Sequence, residues 1–208
     1  AYMISRIHFI RQGITEGRKN RWFYGWEDLP LIEEGVREIS RFKELGVYPE
    51  LGDADCYTSG MVRADQTLAA IYGDVPFKVI PDLKEMNFGR WECKTFDQLK
   101  EMEGFDQWMN NKDGSFRFPD GESSADFIKR ACRGLDELTG FHRLKELSHR
   151  HSGKDAVSIM VCHGGVIAAA MCYLAGRPQE TFWDWIPAPG RGYTLYFENG
   201  DFSRYEDL

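Results

Sequence analysis

The chain has 208 residues, 42% of them hydrophobic and 28% charged, with 21 Gly against 8 Pro, which is the composition of a folded domain and excludes a disordered or staple-dependent chain. One domain spanning residues 1–208 is expected at this length. The formal net charge of −7 argues against a general grip on nucleic acid or on an anionic membrane, either of which needs a basic face, while leaving room for a local cationic pocket.

In chain order, Arg6–Arg11 reads as a short strand and Leu31–Leu45 as a helix with Ile32, Val36, Ile39 and Phe42 at helical spacing. Asp55–Thr58 is strand-like, and the helix after it carries Met61, Ala64, Leu68 and Ile71 on one face. Phe77–Ile80 is a third strand, stopped by Pro81. Residues 104–121, with Trp108, Met109, Phe116 and Phe118 among Asp, Asn and Gly, lack a clean period and read as an inserted loop or lid region over a site. The longest helix begins near Ser123, where Ser123 and Asp126 make a capping-box pattern, and Gly134 and Gly140 are expected to weaken or bend it. A strand at 156–162, a helix at 166–175 and a strand pair around Tyr193–Phe197 and Phe202–Tyr205 complete an alternating α/β order. The expected architecture is a three-layer α/β/α sandwich around a mainly parallel sheet.

The uncharged stretch 156–176 imitates a membrane span in length, but His163-Gly164-Gly165 interrupts it, and a buried strand followed by a buried helix fits better. The five Cys are odd in number, widely spaced and without a C-x-x-C pair, which argues against a disulfide framework or a zinc site and for a reducing, cytoplasmic setting. No basic leader with a short apolar core opens the sequence, and Ala1-Tyr2 ahead of Met3 reads as a remnant of cloning.

Ligands of α/β sheets bind where strands end and helices begin. Three such junctions hold cationic or imidazole side chains: Arg11-Gln12-Gly13, Thr58 to Arg63, and Cys162-His163-Gly164-Gly165. Two guanidiniums offer forked donors to phosphate oxygens, and adjacent glycines let backbone N–H groups approach an anion. Each piece alone has a plain structural explanation; their joint placement is what points to a phosphate cradle. His8, in the first strand about 13 Å of chain from residue 12 at ~3.3 Å per residue, is expected to be a core or sheet-face residue, and His142, His149 and His151 to be solvated.

Five ordered blocks resemble the histidine phosphatase superfamily, also called phosphoglycerate mutase-like. They are Ile7 to Thr15, Gly25 to Gly35, Thr58 to Thr67, Leu83 to Glu92 and Val161 to Val166. The resemblance implies that Arg11, Arg63, His163 and Gly164 bind a phosphoryl group, that Glu85 is the proton donor and that His163 assists. Thr15, Arg18, Trp22 and Tyr24 are candidate substrate contacts. It also implies a nucleophilic His directly after Arg11, where this chain has Gln12. A carboxamide nitrogen shares its lone pair with the carbonyl and is a very poor phosphoryl acceptor, so hydrolysis through a phosphohistidine is expected to be blocked. Either the chain is a natural pseudoenzyme or its nucleophile was exchanged deliberately. The expected partner is a small phosphorylated substrate or inorganic phosphate, with no metal and no other cofactor, and the competing reading is a non-catalytic phospho-ligand sensor or interaction module. A phosphoglycerate mutase is disfavoured, because Met86 stands where the family's mutases follow the Glu with an Arg for the substrate carboxylate.

Overall fold

The computed structural model describes residues 3–208, so the Ala1-Tyr2 reading lies outside the described residues. In chain order the elements begin with β1 (Ile4–Arg11), α1 (Glu16–Lys19), β2 (Trp22–Phe23), α2 (Glu33–Glu44), β3 (Asp55–Thr58), α3 (Val62–Tyr72) and β4 (Lys78–Val79). After these come β5 (Lys94–Thr95), α4 (Phe96–Leu99), α5 (Phe105–Asn110), α6 (Ser124–His149), β6 (Ala156–Cys162), α7 (Gly164–Tyr173), β7 (Gly192–Glu198) and β8 (Asp201–Asp207).

Six strands form one sheet in the order β4-β3-β6-β1-β7-β8. The first four are parallel, and β7 and β8 add an antiparallel edge. Side chains alternate across β1 and β6, and each face meets its own helices. Ile7, Phe9, Met160 and Cys162 join a core with α6 and α7 residues such as Ala131, Leu135 and Val166. Ile10, Ile159 and Val161 join Ile39 of α2 and Leu68 of α3 on the other face. The sheet is therefore covered on both sides, as its apolar central strands require.

Local chemistry accounts for the helix ends. The Ser123 hydroxyl accepts the Asp126 N–H at 3.1 Å, but the Asp126 carboxylate pairs with Arg117 instead of returning to the cap. In α2, Glu33 and Glu34 sit in the first turn and Arg41 and Lys43 in the last, each matching the helix dipole. The expected apolar stripe of α2 is narrower than the sequence spacing suggests, since Ile39 is fully buried whereas Val36 is exposed. The strand expected at 77–80 shortens to Lys78–Val79. Gly134 lies within an unbroken α6, where a Cβ would stand 2.6 Å from Leu83, so its role is close packing. Among the described residues no helix is long and apolar enough to cross a membrane.

Two of the histidine expectations are corrected: His149 is not freely solvated, its side chain being 14% exposed, beside the Asp53 carboxylate and bonded to the Asp155 carbonyl. His142 is not solvated but buried under the sheet, where its ring bonds the hydroxyls of Ser158 at 2.8 Å and Ser5 at 2.9 Å. Its place on α6 faces the odd-numbered side of β1, and two inward-pointing serines give an imidazole the partners that burial demands. Burial pushes His142 down to about 4 and does the same to His8. Both are neutral when folded at pH 7, and in the unfolded chain both protonate near 6.5. Stability owed to these groups is thus fully present above about pH 6.5 and is lost as pH falls toward 4, with a limiting slope of about 2.7 kcal/mol per pH unit for the pair. Urea midpoints measured from pH 7.5 to 4.5 should fall, and His142→Asn should flatten the curve; an unchanged slope in the variant would refute the assignment.

Candidate functional site

Register brings the three junctions together. Arg11 pairs with Cys162 across β1 and β6, and Thr58 pairs with Val161 across β3 and β6, so the carboxyl ends of the three central parallel strands lie side by side. A cleft of about 960 Å³ opens there, and Arg11, Gln12, Arg63, Glu85 and Gly165 line its floor.

Arg63, at the start of α3, is almost fully buried. Its Nη1 donates to the Glu27 carbonyl at 3.0 Å and its Nη2 to the Gly25 carbonyl at 2.6 Å. The guanidinium also lies 5.1 Å from the centre of the Tyr24 ring. Arg11 donates from Nη1 to the Pro187 carbonyl at 2.7 Å. No carboxylate forms an ion pair with either group among the described residues, and the Nε of each is buried without an acceptor. Burial lowers both from the usual arginine range, and the nearby carboxylate of Glu85 opposes that effect in each. Two desolvated cations with spare donors make a site that gains most from an anion.

His163 caps no helix through its side chain but sits between two polar neighbours. Its Nδ1 bonds the Gln12 Oε1 at 2.8 Å and its Nε2 bonds the Ser59 hydroxyl at 2.7 Å. Burial and the surrounding Arg63, Arg11 and Arg130 hold it well below the ordinary histidine range, so the ring is neutral. With an amide oxygen as partner, Nδ1 carries the proton and Nε2 accepts from Ser59.

Glu85 stands across from these groups. Its Oε2 accepts the Gly165 N–H at 2.9 Å and its Oε1 the Met86 N–H at 3.1 Å. A Cβ on Gly165 would come within 2.5 Å of Oε1, so glycine is required for the approach. The segment that carries Glu85 is held from behind by Arg130 of α6, which donates to the carbonyls of Asp82, Lys84 and Glu85 and pairs with Glu122 at 2.7 Å.

Of the outer candidates, Arg18, Trp22 and Tyr24 line the cleft. Thr15 does not: it is fully buried, its hydroxyl accepts the Arg18 N–H at 3.2 Å to cap α1, and it bonds the Tyr24 hydroxyl at 2.7 Å. Gly164 and His163 also lie behind the lining. Segment 104–121 forms one wall, with Trp108 packed edge-on against Phe23 and Trp91 at 5.6 Å each. Sequence reasoning assigned no role to Ser59, Arg21, Lys112, Arg130 or Trp183. Ser59 and Gly165 lay inside quoted junctions, but Arg130 carried no signal, because an arginine on a long helix reads as surface.

A mainly parallel sheet with two guanidiniums lining a cleft at its strand ends defines an α/β domain with a cationic cleft. The chain belongs to the histidine phosphatase superfamily, whose branch 1 matches residues 7–205. It is 27% identical over 185 residues to the adenosylcobalamin/alpha-ribazole phosphatase of Escherichia coli (strain K12), with 86% of this chain and 83% of that protein covered. It is 28% identical over 165 residues to a 2,3-bisphosphoglycerate-dependent phosphoglycerate mutase of Treponema denticola, with 74% of this chain and 63% of that protein covered. The crystal structure of the alpha-ribazole phosphatase from Shigella flexneri shares the fold, with a TM-score of 0.75 at 23% identity over 95% of this chain and 93% of that one.

Arg63→Ala should weaken phosphate or vanadate binding more than tenfold, because removing a desolvated partner of a charge costs ~2 to 5 kcal/mol. Titration calorimetry on the folded variant, checked by circular dichroism, gives the measurement. Equal affinities would remove Arg63 from the pocket.

Proposed function

We propose that this domain binds a small phosphomonoester between Arg11, Arg63 and Glu85, backed by His163, and that Gln12 blocks turnover through a phosphohistidine. One observation carries the second half of the reading: among the described residues no imidazole and no thiol lines the cleft, and the side chain between Arg11 and Gly13 is a carboxamide already bonded to His163. His8 is turned onto Thr194 at 2.7 Å, inside the sheet. The Cys162 thiol is buried and pushed up by burial, so it supplies no thiolate.

The electrostatic half of a phosphatase site is favoured by the same geometry. Arg11 and Arg63 stand ready for the charge of the transferring phosphoryl group, and Glu85 is anchored by two N–H groups where a leaving oxygen would need a proton. What is missing is an atom able to form the covalent intermediate. Binding without consumption is the behaviour of a phospho-ligand sensor, and the absence of a lining imidazole favours that reading over an active hydrolase. A mutase reading has less support, because Met86 is apolar and buried where a cation would be needed.

Gln12→His should raise phosphomonoester turnover by several orders of magnitude, since loss of a covalent nucleophile elsewhere costs about 10⁶ in turnover. Acid quench with a labelled phosphomonoester should leave label on the Gln12→His protein and none on the present chain. Comparable turnover in both would refute the role assigned to position 12. The Gln12→His protein should also fail to interconvert phosphoglycerates; efficient interconversion would mean that a cation other than one at position 86 holds the carboxylate.

A further inference from the structure

The phosphoryl pocket uses only the floor of the cleft, and the rest of its wall has a character of its own. Five cationic side chains line it, Arg11, Arg18, Arg21, Arg63 and Lys112, against two carboxylates, Glu85 and Asp113. This is a positive lining in a chain of net charge −7. Glu85 is committed to two backbone N–H groups, and the Asp113 carboxylate accepts from Asn111 and from the Ser115 N–H at 3.0 Å each. Arg21 and Lys112 are exposed at the mouth, and neither forms an ion pair among the described residues, although Arg37, Arg90, Arg117 and Arg204 elsewhere on the surface all do.

Two further observations mark this rim. Arg21 has a φ of 57°, in the left-handed region that a long side chain rarely adopts and that persists only where its surroundings impose it. The segments that carry the two cations are tied together below the mouth by Phe23 against Trp108. The lining also includes the aromatic side chains Trp22, Phe88 and Phe116, a surface suited to the flat or apolar body of a ligand.

We infer that the cleft selects a phosphomonoester with a second anionic group at the far end of an apolar or aromatic body, and that Arg21 and Lys112 form the subsite for this distal anion. This rests on the phosphate reading above and deepens it. Arg18 also lines the cleft, close enough to Arg11 to disfavour its charge, and together these cations attract a doubly anionic ligand.

The test compares phenyl phosphate with para-carboxyphenyl phosphate and the longer para-carboxyethylphenyl phosphate, each beside its uncharged carboxamide, by titration calorimetry on the chain as it stands. At low salt at least one carboxylate should bind about tenfold more tightly than its carboxamide, and the gain should shrink as salt screens the exposed cations. The double variant Arg21→Asn/Lys112→Gln should bring the carboxylate-to-carboxamide ratio close to one; Asn is chosen because it tolerates the left-handed backbone. Phenyl phosphate binding that depends on Arg63, with no carboxylate gain or with a gain that survives the double variant, overturns the distal subsite alone. Failure of every probe to bind overturns the phosphate reading and the subsite with it.

Discussion

Arg63, buried, and Arg11, half-buried, carry positive charge that main-chain carbonyls hold in place without neutralising it. Taking a guanidinium from water costs several kcal/mol even after relaxation, and the partners here are the dipoles of Pro187, Gly25 and Glu27. Those dipoles orient the forks, leave each Nε free and leave the net charge for a ligand. Much of the surrounding structure serves this arrangement. Gly25 gives its carbonyl to Arg63 and its N–H to Glu92, whose carboxylate also accepts from Glu27 and Phe88. A Cβ at Gly25 would fall 1.6 Å from the Met86 carbonyl, so this loop can lie against the chain that carries Glu85 only as glycine. One glycine thus fixes the distance between the cation side of the pocket and its carboxylate side.

The parts of this arrangement that were legible in the sequence are those with local causes. The strands 55–58 and 156–162 match the observed elements residue for residue, the second because a mostly apolar run bounded by turns has few other solutions. Ser123 announces α6 through its hydroxyl. The convergence of Arg11, Arg63 and the Cys162–Gly165 junction follows from parallel strand order, which alternating elements imply.

What escaped is non-local. His142 looked like a helix-end surface residue until Ser5 and Ser158, far from it in sequence, met its ring. Thr15 looked like a ligand contact because it closes the block that resembles the family's first signature, yet its hydroxyl is occupied by the α1 cap and by Tyr24. The two-stranded β2–β5 pairing that sets the mouth of the cleft spans Trp22-Phe23 and Lys94-Thr95, too short to show a period. Arg130 acts across the chain on carbonyls of residues 82, 84 and 85, a role no spacing on its own helix reveals.

Position 12 shows how the buried network is satisfied by a carboxamide. The Gln12 amide oxygen accepts from Nδ1 of His163 and so holds in one tautomer an imidazole that burial and the surrounding arginines keep neutral, with Ser59 on the other nitrogen. A polar partner of some kind is needed there, since an unsatisfied ring nitrogen in this setting carries a penalty of ~1 to 3 kcal/mol. Glutamine meets that structural need while being unable to accept a phosphoryl group, so the network around His163 stays intact where the proposed reading removes the reaction. Because the amide is uncharged, the guanidiniums keep their full attraction for a dianion. Under that reading a bound phosphomonoester leaves as it came, and occupancy of the cleft follows ligand concentration instead of depleting it.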